Sequence, residues 1–356
     1  MPKLTSLMVA LIFWPAIVSA DTATNIQIQR YLNALGYDVG AIDGIIGKQS
    51  KKQLAKAFSD NAYTFDGIID RNEIDILQKI AQKNRTELPE YRIGISSRNL
   101  ASIMPSGLAR KMTVNDAAIR TKERAVFGEF FGRPAVALTV KRDDRGSPGD
   151  WDRGAQRLQI QEKPKTHEMR DGNLYWYKVS IYVPSYVGKR GYTVSPWDLK
   201  ARENGRQKGP SFSLTITNGR FLIQSQTGKT VCGKDEAGRK QCTLEENYIS
   251  EFPRAGLTNR WIDFVMQIDL RKGQEDFKLW ADDRLVFAHQ NDLSPWGEEL
   301  GFKFGPYRHG MFRSEKPIQT ETIFYSDIVR AKNCEDLGVN CEDKVVVPDQ
   351  NIVFGA

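Results

Sequence analysis

Histidine and cysteine are scarce in this chain of 356 residues, which holds three of the first and four of the second. His167, His289 and His309 do not cluster with the cysteines, and the cysteine spacings do not suit a structural zinc site. No His-Glu-x-x-His run occurs, so a zinc peptidase of that type is excluded. A Gly-x-Ser-x-Gly elbow is also missing. After residue 20 no apolar run is long enough to span a bilayer, and no repeat or low-complexity tract appears. A Glu-x-Asp pair of the kind a glycoside hydrolase would carry on a strand occurs only as Glu73-Ile-Asp75, within a helical pattern. No cofactor is called for, and a metal is neither required nor ruled out.

What is present begins with an export signature. Lys3 is the sole charge before an apolar run from Leu7 to Val18, and Val18-Ser19-Ala20 places small residues where a signal peptidase cuts. Residues 1–20 are therefore read as a signal peptide, and the mature chain as periplasmic or secreted. Hydrophobic residues make up 40% and the mean hydropathy is −0.48, the balance of a foldable, water-soluble chain without stable membrane insertion. The formal charge is +7 and becomes +6 without Lys3, with 50 basic against 44 acidic residues. A basic exported chain suits anionic partners such as acidic polysaccharide. The charge is dispersed, with no long basic tail, which argues against nucleic acid.

Four cysteines allow three connectivities. The two local pairs, Cys232–Cys242 and Cys334–Cys341, are favoured because each closes a short polar loop in an oxidising compartment.

Residues 21–84 read as a small helical domain. Ile28, Tyr31, Leu32 and Leu35 recur at helical spacing before Gly36, a second helix covers Ser50 to Phe58, and a third covers about Arg71 to Gln82. Residues 85–112 read as a linker containing Pro89, Gly94, Pro105 and Gly107. From 113 to 333 the pattern becomes alternating and turn-punctuated, which predicts a mainly β domain, a sandwich or jelly roll. Residues 334–356 form a C-terminal tail.

Alternation assigns faces. Leu158 and Ile160 point inward, leaving Arg157, Gln159 and Gln161 on the other face. Phe212, Leu214 and Ile216 are core, as are Ile262, Phe264, Met266 and Ile268, with Gln267 facing away. Lys303, Gly305 and Tyr307 share a parity opposite to Phe302 and Phe304. Together these polar faces would line a concave sheet suited to a sugar chain that bears carboxylates.

Two resemblances sharpen this. The run from Ile28 to Leu54, with Leu35-Gly-Tyr, Ile42-Asp-Gly and Ile46-Gly in order, resembles the peptidoglycan-binding module of cell-wall enzymes and implies a three-helix fold with peptidoglycan as partner. Gly172-Asn-Leu-Tyr-Trp-Tyr-Lys-Val-Ser-Ile-Tyr-Val-Pro184, Trp261-Ile-Asp-Phe-Val, Leu279-Trp280-Ala-Asp-Asp-Arg-Leu-Val286, Phe302-Lys-Phe-Gly-Pro-Tyr-Arg308 and Thr322-Ile-Phe-Tyr-Ser-Asp-Ile-Val-Arg330 look like the polysaccharide lyases of the heparin lyase I and glucuronan lyase type. That resemblance implies a jelly roll with a concave cleft and β-elimination of a uronate polymer. The chemistry needs cations or amides to neutralise the uronate carboxylate, a base for the C5 proton and an acid for the departing O4. By resemblance Tyr307 is the catalytic residue and Arg157 binds carboxylate. His309 joins Tyr307 as a catalytic candidate, and Gln159, Gln161, Gln267, Lys303 and Arg308 join Arg157 as substrate-binding ones.

One stretch departs from the family, which places a glutamine and a histidine shortly after the tryptophan that follows the Tyr-Trp-Tyr strand. Here Trp197 is followed by Asp-Leu-Lys-Ala-Arg-Glu-Asn-Gly, with Lys200 and Arg202 near those places as substrate-binding candidates. Cations there can neutralise a carboxylate, but an arginine is a poor proton shuttle. A non-catalytic envelope protein that binds acidic glycan or peptidoglycan, and a purely structural envelope protein, stay open as alternatives.

Overall fold

A computed structural model describes the backbone of residues 22–40, 42, 44–114, 124–141, 144, 150, 155–163, 169–170, 172–189, 192–203, 206–234, 240–251, 256–271, 276–290, 299–309, 320–341 and 354–355. Side chains in that set are described except at 22–23, 202–203, 206–210, 225–234, 240–251, 290, 299 and 354–355. The signal-peptide assignment thus lies outside the described residues. No described helix is long and apolar enough to cross a membrane. The chain divides into two compact units, Met1–Leu88 and Pro89–Ala356.

The first unit contains α1 (Thr22–Ala34), α2 (Lys48–Asp60) and α3 (Arg71–Asn84). Ile28, Tyr31 and Leu32 of α1 meet Leu54 and Phe58 of α2 and Leu77 of α3 as its buried residues. Gly36, at φ +86°, ends α1: the Tyr37 amide donates back to Leu32 O at 2.9 Å, a closure that needs a left-handed residue at that point. A capping box starts α3, with Asp70 accepting from the Asn72 amide and Glu73 accepting from the Asp70 amide. Gln29 pins the turn after α1, accepting from the Gly44 amide at 2.8 Å and donating to Ile45 O at 3.3 Å.

The second unit is a two-layer β-sandwich of jelly-roll type. In spatial order the first sheet comprises β1 (Arg92–Ile93), β3 (Ala125–Phe130), β4 (Arg133–Val140), β17 (Glu321–Ala331), β8 (Leu174–Tyr182), β13 (Trp261–Asp269), β14 (Asp276–Ala281), β15 (Arg284–Gln290) and β18 (Phe354–Gly355). The second comprises β12 (Lys240–Glu251), β11 (Arg220–Lys234), β10 (Arg206–Thr217), β9 (Thr193–Glu203), β16 (Glu299–His309), β6 (Ile160–Glu162) and β2 (Met112–Val114), with β5 (Gln156–Arg157) and β7 (Met169–Arg170) also pairing with β16. Pairing is antiparallel throughout except between β15 and β18.

Inward-facing rings join the sheets. Phe212 stacks on Phe277 at 4.1 Å, Tyr177 lies 4.9 Å from Phe302, and Trp197 meets Phe264 at 6.3 Å. Phe212 and Phe264 are among the positions that alternation assigns to the core.

The stretch read as a linker, residues 85–112, has more structure than that reading gives it. It carries β1, two short helices at Ser97–Leu100 and Ser106–Ala109, and the start of β2. Leu100, Ile103, Met104, Leu108, Ala109 and Met112 are buried in the sandwich core. A segment that closes the end of a sandwich follows the shape of its host, so it shows no period of its own.

Cys334 and Cys341 form a disulfide with Cα atoms 5.9 Å apart. Cys334 and Leu337 pack with Trp176, Val265 and Trp280 on the outer face of the first sheet. Cys232 and Cys242 are direct Cα partners on β11 and β12, and their side chains lie outside the described set.

Gly305 is a point of close backbone approach in the second sheet. It sits at φ +117°, and a Cβ there would lie 2.2 Å from Leu158 O. Gly305→Ala is expected to cost about 3 kcal/mol in denaturant unfolding, since backbone on both sides must shift. Gly107→Ala, where a Cβ would meet nothing within 4 Å, is the near-neutral control.

Candidate active site

Two prolines and one glycine shape the site. On β16 three residue steps, Phe304 to Tyr307, span the interval that two steps, Trp197 to Ser195, span on β9. A second shift, between Leu214 and Ile216 of β10, places an extra residue on β9 in the same neighbourhood. The bulges fall at Gly305-Pro306 and Ser195-Pro196, where proline has no N–H to give to a ladder. Opposite them, Leu158 and Gln159 leave the strand pattern between β5 and β6, and the Leu158 amide donates to Pro306 O at 3.0 Å. The continuous strand expected over Gln156–Glu162 is therefore two short ones, because the chain must step around Gly305.

This local geometry sets Tyr307 between Arg157 and Ser195. The Arg157 guanidinium lies 4.4 Å from the centre of the Tyr307 ring, and the His309 ring stacks against that ring with centroids 5.6 Å apart. Asp150 forms an ion pair with Arg157 and is itself buried. Arg157, Tyr307 and His309 are half-buried.

Farther along the same face, Lys303 is the Cα partner of both Gln161 and Asp198. Gln159 donates to Asp198 Oδ2 at 3.0 Å. Relative exposures here are low: Gln159 0%, Asp198 1%, Lys303 1% and Gln161 8%. Gln159 Oε1, Gln161 Oε1 and Asp198 Oδ1 accept no hydrogen bond among the described residues. Three buried acceptors without donors are uncommon in a folded protein and suit a ligand rich in hydroxyl donors. Lys200, half-buried, follows two residues after Asp198, opposite Gly301. The Arg202 backbone lies opposite Glu299; its side chain is outside the described set. From His309 to Lys200, opposite Gly301, the stripe follows β16 for about 26 Å at ~3.3 Å per residue.

Two sequence-derived candidates lie elsewhere. Gln267 belongs to β13 of the first sheet, in register with Trp176 and Lys278. It shares the parity of Val265, which packs in the outer layer, so the whole thickness of the sandwich separates it from the stripe. Arg308 is fully buried and faces the other sheet. Its Nη1 lies 3.5 Å from Glu321 Oε2, it donates to Gln156, and it lies 5.8 Å from the Tyr192 ring. Burial pushes the Glu321 carboxyl up; Arg308, the Gly188 amide and the Tyr192 hydroxyl draw it part of the way back. Arg308 is thus a core cation with a fixed partner.

Sequence reasoning missed Asp150 and Asp198. Asp198 was visible in principle, since it shares the parity of Lys200 and Arg202 on one strand. Asp150 carries no pattern at all, because only the path of the chain brings it to Arg157.

A stripe of amide, cationic and phenolic side chains across one face of a two-layer sandwich defines a carbohydrate-active protein of the jelly-roll class. The chain belongs to the polysaccharide lyase family: the model described as polysaccharide lyase matches residues 109–330, and the protein is a carbon–oxygen lyase. Residues 25–77 match the model described as putative peptidoglycan binding domain. Among solved structures, the chain is similar to an endo-β-1,4-glucuronan lyase from the fungus Trichoderma reesei, with TM-score 0.42, 14% identity, and coverage of 64% of this chain and 90% of that one. It is also similar to a marine PL7 alginate lyase from Zobellia galactanivorans, with TM-score 0.37, 13% identity, and coverage of 58% and 80%.

Replacing Arg308 by methionine is expected to cost about 3–5 kcal/mol in urea unfolding, because Glu321 is left buried and unpaired. The double change Arg308→Met with Glu321→Leu should recover most of that loss. Turnover lost with stability unchanged would instead put Arg308 at the substrate.

Proposed function

We propose that this lyase is exported, is held at the cell wall by its helical module, and cleaves an anionic, uronate-containing polysaccharide by β-elimination. The observation that carries the reading is the convergence of Arg157, Tyr307 and His309 at one end of a stripe that continues through Gln159, Gln161 and Lys303.

In this reaction the C5–H and C4–O4 bonds of a uronate unit break, a C4=C5 double bond forms, and the departing O4 gains a proton. Tyr307 is the proton-transfer group. Its hydroxyl, once deprotonated, takes the C5 proton and then supplies one to O4. The Arg157 guanidinium over its ring favours the phenolate that exists before the C5 proton is taken and again once O4 is protonated, and it has donors enough to hold Asp150 and a substrate carboxylate together. His309, stacked on the same ring, orients the phenol and is the second candidate for moving a proton. Lys303 and the Gln161 amide counter the charge of the enolate-like intermediate in a site largely closed to water, where such attractions are strong. Gln159, Gln161 and Asp198 supply acceptors for sugar hydroxyls, and Lys200 extends the cationic run toward a neighbouring unit.

Asp198 adds a buried carboxylate to this face. Its charge disfavours a second carboxylate beside Lys303, so one acidic unit is read at a time, with a hydroxyl-rich neighbour over Asp198.

Tyr307→Phe is expected to abolish the ultraviolet absorbance of unsaturated uronate ends across a panel of polyuronates, with binding of the polymer within about threefold of wild type. Unchanged turnover would remove Tyr307 from proton transfer. A chain lacking residues 1–88 is expected to keep turnover of soluble polymer and to lose co-sedimentation with insoluble peptidoglycan. Retained co-sedimentation would refute the targeting role of the module.

A further inference from the structure

The second sheet ends, opposite to Tyr307, at a cavity of about 490 Å³ whose charged lining has no part in the chemistry above. Lys111, Arg170, Arg330 and Lys332 line it together with Asn173 and Tyr175, and no acidic residue is among its described lining residues. Arg170 is the Cα partner of Glu299 at the start of β16, so the cavity lies about 26 Å along that strand from Tyr307.

The cavity is built, not a chance meeting of flexible lysines. Arg330 is ion-paired from behind with the fully buried Glu162, which also accepts from the Tyr177 hydroxyl at 2.6 Å and the Phe302 amide at 3.2 Å. The guanidinium lies 4.7 Å from the Tyr175 ring and 5.7 Å from the Tyr177 ring. The Tyr175 hydroxyl accepts from the Arg170 amide at 3.1 Å, which fixes both the ring and the strand end that carries Arg170. Lys111, Arg170 and Lys332 are exposed around this fixed centre.

The arrangement selects its ligand class. A preset guanidinium with three further cations calls for an anion. The volume falls in the range of about 300–1,000 Å³ typical of sites for sugar-sized and larger ligands, well beyond what a lone inorganic anion fills. An aromatic ring in the wall suits the apolar face of a sugar. We propose that this cavity is a second glycan site that takes a carboxylate-bearing sugar unit of a polysaccharide chain, remote from the site of cleavage. The choice of an acidic sugar rests on the proposed polyuronate substrate; the existence of an anion site rests on the cavity alone. A second grip on the same polymer raises the effective concentration of substrate at Tyr307.

The test uses the full chain carrying Lys111→Glu and Lys332→Glu, two exposed positions outside the stripe. Calorimetric titrations employ tetrasaccharides of glucuronate and of mannuronate, their methyl esters, and inorganic phosphate, in a Tyr307→Phe background so that no substrate is consumed. The proposal expects two binding events for an acidic tetrasaccharide, one of them weakened about tenfold by the double charge reversal and absent with the methyl ester. With Tyr307 intact, the double reversal should raise KM for long polymer about tenfold and leave tetrasaccharide turnover within twofold. An isotherm unaffected by the charge reversal overturns the proposal, as does phosphate binding at the cavity without acidic tetrasaccharide binding, which would make free phosphate the ligand. Two binding events without turnover of any polyuronate by the Tyr307-intact protein would uphold the cavity and sink the proposed reaction.

Discussion

The contact between the Gly305 backbone and Leu158 O is the constraint on which the active face depends. It forces β16 to bulge, breaks the opposing chain into β5 and β6, and brings Arg157 into register with Tyr307. Any side chain at 305 would push these strands apart and separate the phenol from its guanidinium. A bulge also increases local twist, so the strands on either side of it turn their polar faces toward a common line. The matching bulge at Ser195-Pro196 lets β9 follow without losing the pairing of Lys303 with Asp198.

The cost of that face is considerable. Gln159 Oε1 and Asp198 Oδ1 are buried without a partner among the described residues, and each such atom costs ~1–3 kcal/mol. The sandwich core below them offsets this through ring packing between Phe212 and Phe277 and between Tyr177 and Phe302. Two ion pairs with buried carboxylates, Arg308 with Glu321 and Arg330 with Glu162, span the sheets. They add little net stability, but each defines how one sheet end sits on the other, since a slip would leave a buried charge alone.

Much of the fold was legible in the residues. Helical spacing of Ile28, Tyr31 and Leu32 and alternation of Phe212, Leu214 and Ile216 mark core faces that the structure keeps buried. Parity also placed Arg157, Gln159, Gln161, Lys303 and Tyr307 on one face, and they do share it. Parity alone failed in a characteristic way. It says which side of its own strand a residue takes, and every sandwich has two outward polar faces, so Gln267 read the same as Gln161 while lying on the opposite sheet. Arg308 has the inward parity of Phe302 and Phe304. Its charge suggested a ligand contact, whereas its position called for a buried partner. The stretch before Met112 looked like a connector because end-closing segments answer to their surroundings, not to a period.

The sequence by itself determined the helical and the β-rich parts of the chain, the apolar side of the strands read by alternation, and the motifs that mark a polysaccharide lyase, because these depend on neighbours within a few residues. Only the tertiary structure decided which polar faces belong to one surface, that Asp150 holds Arg157, that Glu321 claims Arg308, and that Lys111, Arg170, Arg330 and Lys332 enclose one cavity. Those are matters of strand order and register between segments far apart in the chain, and no local pattern of side chains records them.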